Sequence, residues 1–113
     1  MKVDDLVGVI DINTIEYYYI INDEQKGIRY ELYTDAFEYY LDVSAYDDTV
    51  VEIGYDGCTG DLYIEVLPTE CELKKLRALR DYGLGEKEVI IDGDKYLLNI
   101  RENVTELRYT WDE

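Results

Sequence analysis

The sequence contains no histidine, and that absence removes more chemistry than any residue present supplies. Without imidazole the chain lacks the commonest transition-metal ligand and the side chain best poised to exchange protons near neutrality. Histidine-based triads, HExxH zinc sites and histidine-coordinated deaminase sites are excluded. Two cysteines, Cys58 and Cys71, are too few for a structural zinc site built from cysteine and histidine. Two reduced thiols in an intracellular, cytoplasmic protein are expected over one disulfide. No serine nucleophile elbow or phosphate-cradling glycine loop appears. Asp11-Ile12-Asn13 and Asp92-Gly93-Asp94 fall short of a calcium loop, which needs ligands over twelve residues. Tyr55 to Asp61 reads as a glycine-rich turn, and Asn103-Val104-Thr105 as a chance glycosylation match. A non-enzymatic protein with no catalytic residue, metal site or cofactor is the expectation.

Proline occurs once, at Pro68, and no Gly/Ser linker or internal repeat divides the chain. A single compact acidic domain over residues 1–113 is therefore expected. Apolar runs extend for only a few residues, against the ~20 needed to cross a bilayer. Met1-Lys2-Val3-Asp4-Asp5 does not read as a signal peptide.

Positive charge is the other scarcity. The chain carries 11 Lys+Arg against 27 Asp+Glu, a net charge of -16. A magnitude of ~2–8 suffices to keep a small domain soluble. The 13 tyrosines argue against disorder, which goes with few aromatics. Residues 1–68 hold 16 acids and 3 bases, whereas residues 69–113 hold 11 acids and 8 bases. From Tyr30 to Leu73 there are 12 acids and no Lys or Arg. Such a chain repels anionic membranes and phosphate backbones, so direct nucleic-acid or membrane binding is not expected. Its attractive partners are basic surfaces, including those that hold nucleic acid.

The acidic stretch reads largely as strand. Period-two alternation sets Ile28, Tyr30 and Leu32 against Arg29, Glu31 and Tyr33, and Leu62, Ile64 and Val66 against Asp61, Tyr63 and Glu65. The same pattern predicts a strand over Phe37–Val43, with Phe37, Tyr39 and Leu41 inward and Glu38, Tyr40 and Asp42 outward. It predicts another over Val50–Tyr55, with Val51, Ile53 and Tyr55 inward and Glu52 outward. An earlier strand is expected over about Glu16–Ile21, while residues 1–15 are ambiguous. Thr69 and Glu72 have capping-box spacing, and Leu73, Leu76, Leu79 and Tyr82 form a stripe, so a helix is expected over about 70–82. Gly83 suits its C-terminal end. Lys74, Lys75, Arg77 and Arg80 make that helix basic. Asp92-Gly93-Asp94 predicts a tight hairpin, and a last strand is expected over Val104–Trp111. The expected fold is α+β: an antiparallel sheet of roughly six to eight strands with one helix packed on one face.

The expected binding surface is a carboxylate face with interleaved tyrosines: Glu31, Tyr33, Glu38, Tyr40, Asp42, Glu52, Asp61, Tyr63 and Glu65, extended by Asp47, Asp48 and Asp56 from loops. Like charges on neighbouring strands cost stability, and mixed signs would serve solubility as well. Tyrosine supplies rigid contact area and a hydroxyl, and can stack on arginine. In size, acidity and lack of catalytic motifs the chain resembles small acidic inhibitors of phages and mobile elements, such as DNA mimics and anti-CRISPR proteins. The resemblance is compositional, involves no motif and transfers no residue role. It implies a stoichiometric inhibitor that occupies the nucleic-acid-binding groove of a host nuclease or defence complex. The alternatives are an immunity or antitoxin-type partner of one basic toxin, and an acidic assembly subunit that oligomerises through a sheet edge or helix.

Overall fold

A computed structural model describes residues 1–7 and 17–110. The Asp11–Asn13 spacing, Glu16 and Trp111 lie outside the described residues. The fold is α+β, as expected, with a seven-stranded sheet and three short helices. The elements are α1 (Val3–Val7), β1 (Tyr17–Asp23), β2 (Ile28–Tyr33), α2 (Thr34–Leu41), β3 (Val50–Tyr55), β4 (Leu62–Val66), α3 (Glu70–Leu79), β5 (Gly85–Ile91), β6 (Asp94–Ile100) and β7 (Val104–Tyr109). The strand order is β3-β4-β1-β2-β7-β6-β5. The sheet is mostly antiparallel but mixed, because β1 runs parallel to β4 and β2 parallel to β7. The expected antiparallel sheet is thus corrected to a mixed one, since strand alternation carries no information about which strands become neighbours.

Several local signals act as read. Thr69 Oγ accepts from Glu72 N at 3.2 Å and Glu72 Oε1 accepts from Thr69 N at 2.8 Å, closing the capping box of α3. Leu76 and Leu79 are buried beneath that helix. It gives way to a 3₁₀ turn over Arg80–Tyr82 that leaves Tyr82 exposed, and Gly83 then takes φ 90°. Asp92 and Gly93 both have positive φ, 51° and 87°, and join β5 to β6. That is the backbone a two-residue hairpin needs.

The expected strand over Phe37–Val43 is instead α2 followed by a 3₁₀ segment, Val43–Asp47. Ala36, Phe37, Tyr40 and Leu41 are all buried, which is a helical stripe. Phe37 stacks on Tyr19 with ring centroids 3.8 Å apart. Tyr40, expected to point outward, is buried and donates its hydroxyl to Lys75 O at 2.7 Å. Tyr39, expected inward, is exposed. The short segment carries aromatics that satisfy both periods, and packing on Tyr19 selects the helix.

The helices share one face of the sheet. Tyr19, Ile21, Tyr30, Leu32, Ile64, Leu98 and Leu107 face them and form one core with Phe37, Leu76 and Leu79. Asp23 is buried at the edge of that core and is held by Arg77, with Nη2–Oδ1 2.9 Å. Arg80 donates to Arg101 O, Glu102 O and Thr105 Oγ, each at 2.9 Å. Two of the four cations of the expected basic patch thus fasten α3 to the sheet.

Candidate protein-binding face

Among the described residues, no helix lies on the opposite face of the sheet. Its side chains follow from the register, since residues paired across strands project to the same side. One row crosses all seven strands as Glu52, Glu65, Ile20, Glu31, Glu106, Asn99 and Glu86. Five of those seven positions are glutamates. The neighbouring row runs Gly54, Tyr63, Tyr18 and Tyr33 across β3, β4, β1 and β2. Arg108 continues it, with its guanidinium carbon 3.5 Å from the centre of the Tyr33 ring. Tyr18 lies 5.8 Å from Tyr33 and 6.4 Å from Tyr63, ring to ring. The face therefore has a glutamate row beside a tyrosine row.

Its two ends differ in charge. Toward β2 and β7, Arg29 pairs with Glu31 at 3.1 Å and Arg101 with Glu106 at 2.9 Å. Lys95 stands 3.8 Å from Glu88 on the β5–β6 side. Toward β3 and β4, no ion pair among the described residues joins a cation to Glu52, Glu65, Asp56 or Asp61. Among the described residues, Glu52 and Glu65 are thus two neighbouring glutamates without an ion pair at the β3–β4 end, and Glu86 is a single one at the β5 end. A shallow depression of about 340 Å³ lies at the β3–β4 end, lined by Tyr18, Glu52, Asp56, Tyr63 and Glu65 and also by Arg29, the cation paired with Glu31.

Electrostatics record the crowding. Burial, together with the like charge of Glu106, pushes the Glu31 carboxyl up, with Arg29 and Arg101 opposing. Tyr18 donates to Asp56 Oδ2 at 3.1 Å. Burial and that bond push its hydroxyl up to about 12. Backbone donation from Cys58 and the Tyr18 bond hold Asp56 low. At neutral pH Asp56 is thus a fixed anion at the rim and Tyr18 a fixed donor.

Of the twelve expected residues, Glu31, Tyr33, Glu52, Tyr63 and Glu65 lie on this face. Asp56 and Asp61 adjoin it in the β3–β4 loop. Glu38, Tyr40 and Asp42 lie in the helical layer on the other side, because α2 replaces the expected strand. Asp47 and Asp48 are there too, at the end of the 3₁₀ segment. Asp48 is only 6% exposed, against Glu72 at 7%. Burial, with Glu72 beside it, pushes the Asp48 carboxyl up to about 8. Asp48 Oδ2 and Glu72 Oε2 are both buried without a hydrogen-bond partner, and a proton kept on Asp48 would relieve the repulsion between the two carboxyls. Sequence reading missed Glu106, Glu86, Tyr18 and Arg108. Period-two alternation in β7 did separate Glu106 and Arg108 from Leu107, but only the parallel β2–β7 pairing brings them beside Glu31 and Tyr33.

Cys58 and Cys71 are free and exposed. Among the described residues, no group of three or more Cys, Asp or Glu converges to hold a metal ion. No helix among them is long and apolar enough to cross a membrane. No protein family, curated protein or solved structure matches this chain.

Proposed function

We propose that the chain is a non-enzymatic acidic binding protein whose helix-free sheet face docks on the Lys/Arg-rich groove of a nucleic-acid-binding protein and blocks it. The observation that carries this reading is the row of five glutamates, uncompensated at its β3–β4 end and flanked by tyrosines. Neighbouring strands lie ~4.8 Å apart, so Glu52 and Glu65 present adjacent negative charges at a spacing of the same order as successive phosphates. An isolated fold gains nothing from such opposition. A cationic partner relieves it and associates rapidly by electrostatic steering. Arg108 on Tyr33 shows the geometry in which a partner arginine would stack on a tyrosine of this face. Free exposed thiols fit a reducing, cytoplasmic setting. A stoichiometric inhibitor of a host nuclease or defence complex, of the kind carried by phages, fits all of these features.

The test is affinity capture from a host lysate followed by elution with nucleic acid. The reading expects a nucleic-acid-binding protein that nucleic acid displaces, and weaker capture by Glu52→Gln/Glu65→Gln. Capture of a single partner that nucleic acid does not displace would support an immunity or antitoxin-type role instead.

A further inference from the structure

We propose that the outer edge of β3 accepts an extended segment of the basic partner as an added strand, in which apolar residues alternate with Lys or Arg. This rests on the acidic-face reading and supplies its mode of docking.

The two edges of the sheet are β3 and β5. Edge strands invite pairing unless charge, proline or a covering segment blunts them. On β5 the run Glu86, Lys87 and Glu88 does so. β3 has one charged residue, Glu52, and no proline. Its Val51, Ile53 and Tyr55 side chains are 55%, 45% and 66% exposed. Those three were expected to be core residues; they are not, because β3 lies at the end of the sheet.

The backbone shows where pairing is available. Asp56 N donates to Asp61 O at 2.9 Å, so Asp56 faces β4. Alternation along the strand then turns Gly54 and Glu52 toward β4, and the N–H and C=O of Ile53 and Tyr55 outward. The start of the edge is already closed by the chain itself. Val50 N donates to Met1 O at 2.7 Å and Val3 N to Asp48 O at 3.0 Å, with Lys2 opposite Thr49 in antiparallel pairing. Residues 1–3, with Lys2 among them, therefore pair with this edge at Asp48, Thr49 and Val50 in the free protein.

Charge and polarity select the occupant. A strand beside β3 places alternate side chains next to Glu52 on the acidic face, and the others against Ile53 and Tyr55. Lys or Arg on the first set extends the unpaired glutamate row with its counter-charge; apolar residues on the second cover the exposed strip. A second copy of this chain would instead bring two -16 chains together at their uncompensated ends.

The experiment uses the full chain and the peptide Arg-Val-Arg-Val-Arg-Val, with a second peptide N-methylated at alternate residues so that it keeps its charge but cannot form a ladder. The expected result is exchange of the Ile53 and Tyr55 amides slowed ~10-fold or more by the first peptide only. The N-methylated peptide should bind ~10-fold or more weakly. Ile53→Pro removes an N–H that β4 does not use, so it should keep the far-UV dichroism of the parent and weaken binding by a similar factor. Equal salt-dependent binding of both peptides, without amide protection, would overturn strand addition and leave the acidic-face reading standing. Absence of salt-dependent binding by either peptide would overturn both. Protection of the same amides in the protein alone, with dimerisation, would overturn the choice of occupant in favour of a second copy.

Discussion

The ring of Tyr63 lies over the bare backbone of Gly54 on the neighbouring strand, in the space a Cβ at position 54 would take. Glycine in a strand loses packing and entropy, and an aromatic ring from the next strand covers the gap. The same lean brings the Tyr63 hydroxyl to 3.4 Å from Glu52 Oε1. Gly54→Ala should therefore push the ring aside and destabilise the fold by ~1–3 kcal/mol, the usual cost of overpacking. Gly54→Ala/Tyr63→Ala should cost less than the sum of the two single changes in urea unfolding, because one clash is removed with its cause.

Asp48 gives the stability a pH dependence opposite to that of an ordinary ion-paired carboxylate. Its folded-state pKa is raised to about 8, from about 3.9 for an ordinary aspartate. Between those values the folded state binds the proton and the unfolded state does not. The contribution is fully present below the unfolded pKa and is lost as pH rises toward 8. Asp48→Asn keeps a donor for Glu72 and cannot ionise. Urea unfolding of both proteins from pH 5 to 9 should show the variant gaining on the parent up to about pH 8 and the gap then levelling.

Asp23 works in the opposite sense. The hydrogen bonds from Arg77 hold its carboxyl below the usual range against the effect of burial. Its contribution is present above the unfolded pKa and is lost as pH falls through the lowered value. Arg77→Met leaves Asp23 buried without a counter-charge, so it should destabilise more than Arg77→Met/Asp23→Leu, which removes both charges. Thermal unfolding of the two variants at neutral pH decides this.

Glu65 stands directly across from Glu52, and among the described residues no ion pair joins a cation to either. Glu65→Gln should raise stability by ~0.2–1 kcal/mol, the scale of a cross-strand pair. The same change should weaken association with a basic partner. A gain in stability coupled to a loss of binding would mark the charge as retained for the interface.

The sequence made several elements legible because their signals are local. The Thr69–Glu72 box and the Asp92-Gly93 turn each close within a few residues, and both form as read. The alternation of β2 and β4 likewise sorts Leu32 and Ile64 from Tyr33 and Tyr63. What escaped depends on residues far apart in the chain. Phe37 and Leu41 fit a strand and a helix equally well until Tyr19 is placed beneath Phe37. Ile53 looks like a core residue until β3 is known to be an edge. The charge imbalance was visible from Tyr30 to Leu73. The lack of ion pairs at Glu52 and Glu65 was not, because the compensating Arg101 and Lys95 arrive from the β6–β7 connection and from β6, beyond that stretch.

The central claim is that the uncompensated β3–β4 end of the acidic face meets a cationic groove. The most direct measurement is the salt dependence of affinity between the captured partner and two proteins, the parent chain and Glu52→Gln/Glu65→Gln. Log affinity should fall steeply with log salt for the parent, and the variant should bind more weakly with a shallower slope. Equal affinities and equal slopes for the two proteins would contradict the claim.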